Sequence, residues 1–196
     1  MDKKADEIKK SNDHCALLQD TTTTKTHHIY LYNEIAEPVH YVEMFNVLKT
    51  SEKGDEVFIY LNTPGGYLHT TTQIIAAMKE CKSSITCVMD GTVCSCGSLI
   101  FLSGQKQRVN YGSVLMCHWY STSEYGKGQE VKASIDFMDA HLKNLFSDIY
   151  RSFLTDKELS RLFAGEDFWF GAEDVKKRLL SRSAKVNKSS NEKQKA

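Results

Sequence analysis

Between residues 27 and 182 the chain alternates short apolar, β-rich stretches with longer segments of helical spacing, and that alternation allows few architectures. HIYLYNEI (28–35), DEVFIYL (55–61) and SITCVMD (84–90) read as strands. PVHYVEMFNVLKT (38–50) and YLHTTTQIIAAMKEC (67–81) carry apolar residues every three to four positions and read as helices, the first opened by Pro38. Strands separated by helix-length segments pair through crossovers, which predicts an α/β domain with largely parallel pairing. Further on, an apolar run from Leu99 to Leu102 predicts a buried helix that begins at Ser95 and ends at Gly104. QRVN (107–110) and VLMCH (114–118) read as short strands, and a glycine-bearing loop, TSEYGKGQ, leads into the longest helix, about 130–154. Val131, Ile135, Met138, Leu142, Leu145, Ile149 and Phe153 keep a three-to-four spacing along it. Two shorter helices are expected near 156–163 and 172–180.

The 196 residues suffice for one well-buried core, and neither an internal repeat nor a linker divides the patterned region. Residues 1–26, ending in TTTTKT, and 183–196 are polar and are expected to lack fixed structure. The 25 basic and 25 acidic side chains cancel, which gives no electrostatic case for a nucleic acid or an anionic membrane as partner. No apolar run reaches the ~20 residues that a spanning helix needs. The charged start, MDKKADEIKK, lacks an apolar core of the secretory kind. A cytoplasmic, reducing setting is therefore expected, with the six cysteines as thiols.

The stretch GTVCSCGSLIFLSG (91–104) sets one hydroxyl, Ser95, at the mouth of the buried helix. A serine is a weak nucleophile unless a base takes its proton and donors receive the oxyanion. A helix start supplies free backbone N–H groups and a partial positive charge. The segment is not the G-x-S-x-G elbow of α/β-hydrolases, because Val93 holds the first glycine's place. Read alone, Ser95 is first a helix cap, His118 a hydrogen-bonded core histidine, Asp167 a solvated acid and TPGG a type II turn.

Together, NTPGG (62–66), GTVCSCGSLIFLSG (91–104), LMCHW (115–119) and EDFWFGAEDV (166–175) resemble the proteolytic subunit of the Clp protease. That family shows an S-P-G-G turn, then G-x-x-A-S-M-G-A before an apolar helix, a strand ending in M-I-H, and an Asp shortly before a helix start. The resemblance runs from about residue 28 to 182. It implies the ClpP/crotonase-like superhelix of repeated ββα units, with the long helix protruding as a handle. It further implies a serine endopeptidase with Ser95 as nucleophile, His118 as general base and Asp167 orienting the imidazole. The backbone N–H groups of Gly66 and Cys96 would form the oxyanion hole, with Gly66 needed because a side chain there would obstruct the reacting carbonyl. No cofactor and no metal are implied. Substrates would be peptides or unfolded chains. The partner would be an AAA+ unfoldase docking on an aromatic strand face, Phe58 and Tyr60, and the assembly two stacked heptameric rings of this chain.

The departures from the pattern are local. Thr63 replaces a Ser, and Cys94 and Cys96 replace Ala and Met beside Ser95. Trp119 follows the histidine and is expected to reshape the substrate pocket, and Phe168-Trp169-Phe170 is bulky. The segment before the first strand lacks the usual Arg- and aromatic-containing residues, which puts ATPase docking in question. Cys94, Cys96, Cys117 and His118 invite a zinc reading, but Cys-x-Cys is not the usual ligand spacing. A catalytically silent ring subunit and a crotonase-type acyl-CoA enzyme are the alternatives. The first would show a broken Ser–His–Asp set, and the second would have no use for one.

Overall fold

A computed structural model describes residues 23–181, so most of the two polar tails lies outside the described residues. The expected α/β class is the one observed. Six strands form one sheet: β1 (Thr26–Tyr32), β2 (Glu56–Thr63), β3 (Ser84–Cys94), β4 (Lys106–Val109), β5 (Val114–Cys117) and β6 (Phe168–Gly171). Strand β2 lies between β1 and β3, all parallel. The first half of β3 pairs with β4 and its last residues pair with β5, again in parallel. The strand runs on through Gly91 to Cys94, beyond the stretch legible as SITCVMD, and this extension makes room for both partners.

The helices are α1 (Val42–Thr50), α2 (Leu68–Glu80), α3 (Cys96–Ser103), α4 (Gly128–Tyr150), α5 (Asp156–Phe163) and α6, residues 172–181. The segment opened by Pro38 divides into a 3₁₀ turn, Pro38–Tyr41, followed by α1. Helix α3 is buried on every side, from Cys96 to Leu102, as its unbroken apolar run requires. It packs on β3, α2 and α4 at the centre of the core. Along β2 the alternation expected from sequence holds: Val57, Ile59 and Leu61 are fully buried, while Phe58 and Tyr60 lie on the opposite, partly exposed face.

Two further elements differ from the sequence reading. The long helix ends at Tyr150, and Phe153 and Leu154 pack from the turn that follows. Strand β6 was not legible as a strand. It joins β5 antiparallel, and Arg178 on α6 secures it, with its guanidinium 4.4 Å from the centre of the Phe170 ring. The same guanidinium pairs with Glu158, whose Oε1 lies 2.6 Å from Nη2. That pairing holds the Glu158 carboxyl down at about 2.

Candidate active site

The site grows from the junction of β3 and α3. Ser95 N–H donates to Met116 O on β5 at 3.0 Å, and its carbonyl accepts from Ser98 N–H at 2.9 Å. Between these anchors Ser95 takes φ 54° and ψ −123°, a conformation unfavourable for a residue with a side chain and held only where its surroundings over-determine it. The sharp turn brings the hydroxyl against the glycine pair after β2. A Cβ on Gly65 would lie 2.5 Å from Ser95 Cβ. Sequence reasoning missed Gly65 as a neighbour of Ser95, although the Gly–Gly pair was a signal that backbone comes close to something there.

His118 directly follows β5. The register Cys94↔Met116 carries the next residues of the two strands, Ser95 and Cys117–His118, into one neighbourhood. His118 Nε2 lies 2.6 Å from Ser95 Oγ. Asp167 arrives through β6: the antiparallel pair Cys117↔Phe168 sets the flanking residues His118 and Asp167 opposite one another. Asp167 Oδ1 stands 3.9 Å from His118 Nδ1, beyond hydrogen-bond reach, and its side chain is 54% exposed. Burial lowers the His118 pKa below its usual value, and the nearby Asp167 carboxylate partly opposes that shift. The imidazole is thus neutral near pH 7 and able to accept a proton.

Gly66 and Cys96 border the same cleft as Ser95 and His118. The backbone bridge at Gly66 runs from Ile35 N–H to Gly65 O, 2.7 Å, and from Tyr67 N–H to Ile35 O, 2.8 Å. It bypasses the Gly66 N–H. Cys96 opens α3, where N–H groups have no partner within the helix. The reason for glycine at 66 differs from the expected one. A Cβ there would meet the backbone of Ile35, 2.2 Å from its carbonyl oxygen, at φ 144°. The close approach that demands glycine is thus to the neighbouring strand connection.

The cleft has a volume of about 270 Å³. The N-terminal half of α4 supplies Ser134, Ile135 and Met138 to its wall. That contribution was hidden in the three-to-four spacing, which identifies a face without naming what it covers. Tyr120 OH donates to Asp139 Oδ1 at 2.7 Å and ties the loop after His118 to the same helix. Trp119 does not line the cleft. It packs edge-on against Phe146 and Phe163 at 4.9 Å between ring centres and against Tyr120 at 5.0 Å, and it reaches the site through Phe146 and Tyr120.

The cysteines around Ser95 are buried, free thiols. Burial pushes Cys117 up to about 12 and raises Cys94 and Cys96 as well, so none is a ready thiolate near neutral pH. Among the described residues no group of three or more His, Cys, Asp or Glu side chains is arranged to hold a metal ion, and no helix is long and apolar enough to cross a membrane. Away from the cleft, Phe58 and Tyr60 belong to an aromatic strip. Tyr60 stacks on Tyr30 at 4.8 Å between ring centres, and His28 stacks on Phe58 at 5.4 Å.

Comparison with known proteins identifies the family. Residues 11–178 match the family model described as Clp protease. The chain is 24% identical over 160 residues to the ATP-dependent Clp protease proteolytic subunit 3 of Rhizobium meliloti, covering 78% of this chain and 80% of the relative. It is 29% identical over 109 residues to the chloroplastic ATP-dependent Clp protease proteolytic subunit 3 of Arabidopsis thaliana. There the match covers 53% of this chain and 35% of the relative, so it spans about a third of that relative's length. With the family model matching residues 11–178, most of this chain, and the α/β fold in place, the chain belongs to the Clp protease family.

Proposed function

We propose that this chain is a serine endopeptidase of the Clp type that cleaves peptides or unfolded polypeptides. The observation that carries the reading is the 2.6 Å contact between His118 Nε2 and Ser95 Oγ inside a cleft bordered by two backbone donors. His118, neutral through burial, takes the Ser95 proton as Oγ attacks the scissile carbonyl. The Gly66 and Cys96 N–H groups receive the developing oxyanion, which is where such sites gain most of their rate. Asp167 stabilises the imidazolium that forms through its charge, and closing the 3.9 Å gap to Nδ1 in the substrate complex would let it hold the tautomer as well. His118 then returns the proton to the leaving amine, and water releases the acyl group by the same steps. Reaction with a serine-directed phosphonate, followed by peptide mapping, tests this assignment. An adduct on Ser95 is expected, and an adduct on Cys94 or Cys96, or none, would sink it. No adduct would favour the catalytically silent subunit.

The acid side of the pH profile follows from His118. Its pKa is lowered from 6.5, so the base stays unprotonated as pH falls through 6.5, and activity is lost only at lower pH. Asp167 acts in the raising direction. Asp167→Asn is therefore expected to move the acid limb of kcat/KM to still lower pH, while cutting the plateau on the order of 10³–10⁴. A limb that stays in place or moves up would separate Asp167 from His118.

The assembly in this reading is a ring, two stacked heptamers with α4 as the interlocking handle. What supports it is the N-terminal half of α4: Val131, Ile135 and Met138 on one face are only partly covered, the last two bordering the cleft, and Phe137 on a second face is 66% exposed. Apolar side chains left open on so long a helix call for a partner surface. Light scattering after size exclusion should give a mass many times the 22.3 kDa of one chain. A 22 kDa species at micromolar concentration would contradict the ring.

A closed chamber admits short peptides and excludes folded proteins, so protein degradation would need an AAA+ unfoldase. The aromatic strip with Phe58 and Tyr60 is the proposed docking face. Tyr60→Ala should suppress ATP-dependent protein degradation and spare peptide cleavage. Unchanged degradation in the presence of a cognate ATPase would remove that role.

A further inference from the structure

Two buried hydroxyls stand behind Ser95. Tyr150, the last residue of α4, is wholly buried, as is Ser98 on α3. Their oxygens lie 2.7 Å apart. Ser98 Oγ also lies 2.7 Å from the carbonyl oxygen of Ser95, which can only accept. Ser98 has one hydroxyl proton and gives it to that carbonyl, so Tyr150 O–H must donate to Ser98 Oγ. The chain of donors runs one way, from α4 through α3 to the backbone of Ser95.

The carbonyl of Ser95 and the N–H of Cys96 are opposite ends of one planar peptide unit. Whatever fixes the direction of the first fixes the second. The carbonyl is drawn towards α3 by Ser98 N–H at 2.9 Å and Ser98 Oγ, with Leu99 N–H more distant at 3.4 Å. The Cys96 N–H is thereby turned the other way, towards the cleft that Cys96 borders. This unit needs fixing, because ψ −123° at Ser95 is not a resting conformation of the helix that follows.

We propose that Tyr150 and Ser98 form a buried lock that aims the Cys96 amide at the oxyanion position, with Tyr150 a positioning residue acting through Ser98. The inference rests on the serine-peptidase reading above. Binding of a ground-state substrate depends little on that amide, whereas the tetrahedral state depends on it directly. Loosening the amide should therefore lower kcat and leave KM alone.

The test uses the full chain in three forms: Tyr150→Phe, Ser98→Ala, and both together. Tyr150→Phe keeps the ring and removes one hydroxyl. It should lower kcat on a short peptide about tenfold, with KM changed less than about twofold. Affinity for a peptidyl boronate, which forms a tetrahedral adduct on a serine oxygen, should fall by the same factor as kcat. Ser98→Ala leaves the buried Tyr150 hydroxyl with only the Cys117 thiol beside it, a weak acceptor, and should lower the melting temperature. The double variant, with both groups apolar, should recover that temperature. Its kcat should remain as low as that of Ser98→Ala, because Tyr150 acts only through Ser98. The lock is overturned if Tyr150→Phe keeps wild-type kcat, if kcat recovers together with the melting temperature, or if the losses of the two single variants simply multiply. A wild-type chain that the phosphonate fails to label on Ser95 overturns the peptidase reading itself, and the lock with it.

Discussion

Ser95→Ala is expected to abolish peptide hydrolysis while leaving the fold intact, with a loss on the order of 10⁴–10⁶ in rate. The substitution removes Oγ, its 2.6 Å contact with His118 and its interaction with the Cys96 thiol, none of which ties one strand or helix to another. The two backbone anchors of residue 95, to Met116 O and from Ser98 N–H, use main-chain groups and survive. His118→Ala should cost a similar amount, and the double variant little more than either alone, since nucleophile and base act as one unit. Steady-state hydrolysis of a short fluorogenic peptide, with circular dichroism as the control for folding, measures both. More than about one per cent residual activity in Ser95→Ala would point to a second nucleophile, with Cys94 and Cys96 the first to test.

Gly66→Ala should be as damaging by a different route. The added methyl would sit 2.2 Å from the Ile35 carbonyl oxygen and 2.7 Å from the Ile35 nitrogen. Both are main-chain atoms, held by the bridge that joins the β1–α1 connection to the glycine turn, so no side chain can swing away. The φ of 144° adds strain for any residue with a Cβ. A loss of at least about 3 kcal/mol in stability is expected, along with displacement of the Gly66 N–H from the cleft. Urea unfolding gives the first quantity and peptide hydrolysis the second. A variant with wild-type stability and rate would mean that the turn yields far more easily than its packing implies.

The parts of the fold legible in sequence are those where one residue's surroundings repeat along an element. Val57, Ile59 and Leu61 alternate with Phe58 and Tyr60, and that alternation is enough to predict which face is buried. The apolar run Leu99–Leu102 likewise announced a helix enclosed on all sides. Strand β6 escaped because Phe168-Trp169-Phe170 is too short to display a period, and its pairing with β5 depends on a residue about fifty positions away. The end of α4 was misplaced because Phe153 continues the apolar spacing after the backbone has left the helix.

The candidate site was legible as residue types and opaque as geometry. Ser95, His118 and Asp167 were each named from motifs. The positive φ at Ser95 follows from its position between β3 and α3, and the 3.9 Å gap to Asp167 from a strand register. Neither quantity is written in any local stretch. Gly66 was identified correctly as a position intolerant of a side chain, but its neighbour there, Ile35, lies far away in the chain. Trp119 was expected to reshape the pocket because it adjoins His118, and the packing shows that it would do so from behind, through Phe146 and Tyr120.

The antiparallel register that sets Asp167 opposite His118 also fixes an order of events during synthesis. A ribosome releases β3, α3 and β5 first, so serine and histidine can meet while α4 is still being made. The carboxylate emerges only after α4 and α5, and it takes its place only when β6 closes on β5 and Arg178 on α6 settles over Phe170. A nascent chain therefore carries an unassisted imidazole until nearly all of its core exists. On the proposed serine-peptidase mechanism, the polypeptide is thus spared a fully armed nucleophile during the interval when its own unfolded segments are the nearest peptide bonds.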